Sequence, residues 1–218
     1  MNGFRDTPWP YEKLDPQKTA DKAYESAFEG YCMYGLVNAV VNELSEKIKD
    51  PWSNFPTRFA LYGRGGVIGW GATCGPLNGA ALLAYLILEQ KDADELINEL
   101  YMWYCTTPLP QYKPNKAKIL ELENKPVIAV APLCYTRSMN FSLVTGYKIL
   151  SPEFFEIENR VVADVTKKFV ELLNAKFDGT FKPSFEIAEN NASANILKAA
   201  EFYMYRSLPL VEIPGRRC

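Results

Sequence analysis

The chain has 218 residues, 48% of them hydrophobic and 23% charged, with a formal net charge of −2. This is the composition of a globular chain able to bury a sizeable core. With no basic block or stripe it lacks the concentrated positive face that nucleic acid requires, and its longest apolar run, Ala80 to Leu88, is far short of the ~20 residues of a membrane span.

In chain order, Met1 to Pro16 is polar and Pro-containing without an apolar signal core. This predicts a cytoplasmic protein, or a periplasmic one whose leader is not part of this chain. Asp15-Pro16 reads as a helix start, with Asp as cap and Pro in the first turn. That helix is expected to run to about Glu29 and to end at Gly30. A second helix is expected from about Cys32 to Lys49, because Val37, Val40, Val41, Leu44 and Ile48 recur at spacings of three and four. Pro51 stops it.

Between Trp52 and Thr73 the glycines at 63, 65, 66, 69 and 71 predict a loop with unusual dihedrals. Pro76 to Gln90 is almost wholly apolar and predicts a buried helix, whose small residues Gly79, Ala80 and Ala81 admit a neighbouring backbone. Asp92 followed by Glu95 resembles a capping box for a helix to about Tyr104. Pro108, Pro110 and Pro114 break the pattern, and Pro126 to Leu133 reads as a strand or buried extended segment. Ser151-Pro152 caps a long helix with Phe154, Ile157, Val161, Val165, Phe169 and Leu172 on one stripe. A weaker helix is expected around Ala192 to Tyr205. The expected fold is mostly α, a helical bundle with long Gly/Pro-rich loops carrying the functional side chains.

There are 5 Cys (Cys32, Cys74, Cys105, Cys134 and Cys218) and no His. No two cysteines form Cys-x-x-Cys, which removes zinc-ribbon, thioredoxin-type and Cys-x-x-Cys-His haem-attachment motifs. Missing His removes Ser/His and Cys/His catalytic pairs and His-ligated metals. Cys32 opens a helix after the Gly30 break, Cys74 joins the glycine loop to the buried helix, and Cys134 follows Pro132-Leu133 at what reads as the start of a loop. A thiol at a helix start faces unsatisfied N–H groups, which favours thiolate, and glycine backbone can donate to sulfur. Such sites suit an iron–sulfur cluster, although a buried Cys is ordinarily a small core hydrophobe. Cys105, within Trp103-Tyr104-Cys105, reads as core, and Cys218 as a surface thiol.

The run Tyr31-Cys32-Met33-Tyr34-Gly35 and the run Gly65-Gly66-Val67-Ile68-Gly69-Trp70-Gly71-Ala72-Thr73-Cys74-Gly75-Pro76-Leu77-Asn78-Gly79-Ala80 resemble the split-Soret cytochrome family. So do Pro8-Trp9-Pro10-Tyr11, Thr106-Thr107-Pro108-Leu109-Pro110, Pro132-Leu133-Cys134 and Ala163-Asp164-Val165. The resemblance spans about Pro8 to Phe181. It implies a redox-active homodimer in which three dispersed cysteines, here Cys32, Cys74 and Cys134, hold a [2Fe–2S]-type centre. The family's haem-attachment segments lie toward the C-terminus, where this chain reads Asn190-Asn191-Ala192-Ser193-Ala194-Asn195. The expectation is therefore an iron–sulfur cofactor without haem, in a redox domain over 1–181, with 182–218 replacing the haem-binding segment.

Tyr135 stands where the family often has His, and the long helix lacks a further cysteine around Glu158. The fourth ligand is accordingly expected to be a small molecule, or an oxygen from Glu158 or Tyr135. The expected function is electron transfer with an unidentified redox partner. The alternatives are an enzyme reducing a small molecule at the open position, and a structural zinc module on the same thiols.

Overall fold

The Asp15 carboxylate accepts the backbone N–H groups of Gln17 and Lys18, both at 2.9 Å, and so starts α1 (Pro16–Ile48) in the computed structural model of the protein. The structure describes residues 7–184. Helix α1 is broken at Gly30 (φ −140°, ψ 18°) and Tyr31 (φ 67°, ψ −173°), which makes it the two helices that the sequence predicts. A side chain at Gly30 would collide with the ring of Tyr34. Tyr31, a bulky residue held at positive φ, turns the chain so that Cys32 begins the second half.

Two short 3₁₀ segments, Trp52–Asn54 and Thr57–Gly63, lead into the glycine loop, where Gly65, Gly66, Gly69 and Gly71 all have positive φ as the sequence predicts. The apolar helix α2 spans Gly75–Ile87 and α3 spans Gln90–Thr106. The expected capping box on Asp92 and Glu95 does not form. The cap of α3 is Glu89, with no side-chain bond, and both acids instead accept from Lys176 Nζ, at 2.8 and 2.6 Å. An ion pair to the C-terminal turn of the long helix has taken the place of a local cap.

Strands β1 (Pro108–Leu109) and β2 (Val127–Ile128) pair antiparallel, so part of the Pro126 to Leu133 run is extended as expected. Cys134 does not start a loop. It opens helix α4 (Cys134–Thr145), closed by Gly146 at φ 76°. The expected long helix is α5 (Pro152–Phe177), with the Ser151 hydroxyl accepting from Phe154 N. Its whole expected stripe is buried, as are Val37, Val40, Val41 and Leu44 of α1, and these two helices pack along each other through the core.

A buried polar network ties the crossing together. Tyr24 Oη donates to Glu156 Oε1 at 2.7 Å, and Arg160 Nε and Nη2 donate to the same oxygen at 3.1 and 3.0 Å. Ile119 N reaches Glu156 Oε2 at 3.0 Å, and Arg160 Nη1 reaches Leu122 O at 2.7 Å. The Pro-rich connection between the strands is thus held by side chains rather than by secondary structure.

The mostly helical architecture agrees with the sequence reading. No described helix is long and apolar enough to cross a membrane. The chain divides into two units, Met1–Phe185 and Glu186–Cys218. The second lies outside the described residues, together with the expected 192–205 helix and Cys218.

Candidate metal centre

Residues 71–74 and 132–135 run antiparallel. Thr73 bridges Leu133, Cys74 N donates to Pro132 O at 2.8 Å, Cys134 N to Ala72 O at 2.7 Å, and Tyr135 N to Gly71 O at 3.0 Å. This short ladder places Cys74 beside Cys134, and each leads into the first turn of a helix, α2 or α4. Gly71 is required here, because a Cβ on it would meet Tyr135 Cβ at 2.8 Å.

Cys32 approaches from the break in α1. Its thiol is oriented toward Gly63 O at 3.9 Å and lies against Gly75, where any side chain would overlap Cys32 Sγ. Three cysteines far apart in sequence thus line one cavity of about 560 Å³, together with Tyr31, Arg64, Tyr135, Ser138 and Glu158.

The surroundings of each sulfur differ. Cys74 is 6% exposed and accepts a hydrogen bond from the buried Tyr104 hydroxyl at 3.1 Å. Cys134 and Cys32 are half-buried, and Cys134 Sγ lies 3.9 Å from Ser138 Oγ, one turn along α4. Behind them the Arg137 side chain is 1% exposed and pairs with Glu158 at 3.0 Å.

The expectation that helix starts lower these thiol pKa values is overturned. Burial pushes Cys74 well above the ordinary thiol value, and the charges of Cys134 and Cys32 add to it. Burial raises Cys32 despite backbone donors from Gly65 and Met33, and pushes Cys134 up to about 11 with the Cys32 charge as the next cause. The magnitudes explain the outcome. A helix end contributes roughly 0.3–1 kcal/mol, under one pKa unit, whereas burial can move a group by about 3–5 units. Raised in this way the three groups hold their protons, and any cation bound to them would have to displace those protons.

Among the described residues no group of three or more Cys, Asp or Glu is drawn tightly enough to hold a single metal ion. The three cysteines line a shared cavity. The donor set still fits iron, being soft sulfur ligands with a hydroxyl donor to one of them and a buried guanidinium nearby to offset negative charge. Cys105 is 1% exposed and is not among the residues lining the cavity, as its core reading predicts. Sequence reasoning missed Tyr104 and Arg137. The one available signal was Arg137-Ser138 lying three and four residues after Cys134, a helical spacing that a loop assignment hides.

No family model matches the chain. It is 30% identical over 190 residues to the split-Soret cytochrome c of Desulfovibrio desulfuricans, covering 85% of this chain and 68% of that protein. A solved structure described as a novel iron centre in the split-Soret cytochrome c from the same organism superposes with a TM-score of 0.79 at 27% identity, over 92% of this chain and 84% of that one.

These relatives correct the expected cofactor, an iron–sulfur cluster with haem absent. One is a cytochrome c, by name a haem protein, and the iron centre of the solved structure is described as novel. The physical reason the expectation failed is that three thiols select a soft metal without fixing its nuclearity. A missing Cys-x-x-Cys-His, in turn, bears only on covalent attachment of haem.

Proposed function

The chain belongs to the split-Soret cytochrome c family, and from that premise we propose that it is a redox protein carrying an iron centre on Cys32, Cys74 and Cys134. Kinship with a cytochrome supports electron transfer as the general function. The observation that supports the ligand assignment is the convergence of these three cysteines, from the break in α1 and the starts of α2 and α4, on one cavity.

In this reading the three side chains supply thiolate sulfur. Tyr104 donates to Cys74 sulfur and holds its orientation. The 71–74/132–135 ladder fixes the separation of two ligands before any metal arrives, so little reorganisation accompanies loading. Iron held there would supply a one-electron change of oxidation state, exchanged with a partner docked at the cavity mouth. Exposed apolar residues at that mouth support such docking, by a redox partner or by a second copy of the chain: Tyr31 is 51%, Ile68 57%, Tyr135 63% and Leu150 69% exposed. We assign the redox domain to 1–181, with 182–185 in the same compact unit, and treat Glu186–Cys218 as the extension.

A second reading is favoured by the cavity volume of about 560 Å³, which falls in the range of small-ligand sites. Here an electron would pass from the centre to a small oxidised molecule bound beside it. Iron and haem quantified separately on anaerobically purified protein, with EPR before and after reduction, test the first reading. Iron absent from such a preparation, and not taken up from ferrous salt, would end it. Turnover with a candidate small oxidant is the additional test of the second.

A further inference from the structure

Glu158 is the one carboxylate among the described residues lining the cysteine cavity. It lies on α5, an element that contributes no cysteine, with its side chain 18% exposed. Arg137 holds it from behind. Arg137 Nη1 donates to Leu109 O at 3.1 Å and Val127 O at 2.6 Å, which anchors the guanidinium to both strands of the small sheet. Its Nε and Nη2 are both 3.0 Å from Glu158 Oε1.

A guanidinium usually grips a carboxylate as a fork, one N–H to each oxygen. Here both contacts fall on one oxygen, and Oε2 hydrogen-bonds to nothing among the described residues. The carboxylate is oriented by a rigid partner and keeps one oxygen in reserve, which is the outer-sphere arrangement expected of a metal-ligating carboxylate. The charges point the same way. Glu158 acts electrostatically on all three thiols, raising each, so the carboxylate stands within charge-interaction range of every proposed sulfur ligand. The other oxygen candidate, Tyr135, is 63% exposed and is not tied to the cavity by any comparable anchor.

We propose that Glu158 is the fourth protein ligand of the iron centre, binding through Oε2, and that Arg137 is the positioning residue that presents it. This rests on the three-cysteine reading above. It assigns the position to a carboxylate, where the sequence favoured a small molecule.

The test uses full-length protein loaded with iron anaerobically. Glu158→Gln keeps the shape and an acceptor for Arg137 while removing the charged donor. It is expected to change the Mössbauer and EPR parameters and to release iron to a chelator at least about tenfold faster, with an unchanged far-UV CD spectrum. Glu158→Cys replaces oxygen by sulfur and is expected to retain iron with altered visible absorption, which a merely structural role would not produce. Wild-type spectra and release rate in Glu158→Gln, alongside iron loss in Cys32→Ser, Cys74→Ser and Cys134→Ser, would overturn this proposal alone. Iron retained in all three serine variants would overturn the reading beneath it.

Discussion

Gly75 makes room for Cys32. Any side chain at position 75 would overlap Cys32 Sγ, and its Cβ would also stand 2.9 Å from Met33 N and 3.1 Å from Gly63 O. The first turn of α2 and the break in α1 therefore approach as closely as two backbones can, and the absence of a side chain at one residue sets where a sulfur on another element can sit.

Gly75→Ala is expected to push the Cys32 side chain out of its place and to shift the first turn of α2 away from the break in α1, with the helices otherwise retained. Iron bound per chain should fall well below the wild-type value, with little change in far-UV CD. Full iron occupancy in this variant would show that the Cys32 sulfur is not constrained as the structure has it.

Glu156 is fully buried and carries Tyr24, Arg160 and the Ile119 amide. Glu156→Ala strands the buried Arg160 guanidinium without its counter-charge. The expected cost is about 3–5 kcal/mol of unfolding free energy, measured by denaturant titration. A loss below about 1 kcal/mol would mean that the network does not hold the α1–α5 crossing.

Asp164 accepts the backbone N–H groups of Gln111 at 2.7 Å and Tyr112 at 2.8 Å. Burial nevertheless pushes its carboxyl from 3.8 up to about 6, against these donors and the charges of Arg137 and Lys167. The folded protein therefore binds this proton more tightly than the unfolded chain does. Its stabilising contribution is full below about pH 4, is lost as pH rises to about 6, and amounts to about 3 kcal/mol for a shift of about two units. Asp164→Asn should flatten that part of the curve of unfolding free energy against pH. A difference curve between the two proteins that is level from pH 4 to 7 would contradict the shift.

The sequence shows α5 and both halves of α1 because their apolar stripes are long and their caps, Asp15 and Ser151, are strong N-caps. Cys74 is legible as a helix start because Gly75-Pro76 follows it. Cys134 is not, because α4 begins after Leu133 with no capping side chain and only Arg137, Ser138 and Phe141 buried, too sparse a stripe to read. The Tyr104–Cys74 contact joins residues 30 apart on different helices, and no local pattern encodes it. The thiol pKa values were misjudged for a related reason. The helix dipole is visible in sequence, whereas the depth at which Cys74 is buried is a tertiary property.

The family likeness and the geometry meet in the cysteine series. Each of Cys32→Ser, Cys74→Ser, Cys134→Ser and Cys105→Ser is purified anaerobically, loaded under one protocol, checked for fold by far-UV CD, and assayed for iron per chain. Cys32→Ser, Cys74→Ser and Cys134→Ser are expected to lose most of their iron, and Cys105→Ser to keep it. Equal iron in all four variants would contradict the assignment of the centre to this cavity.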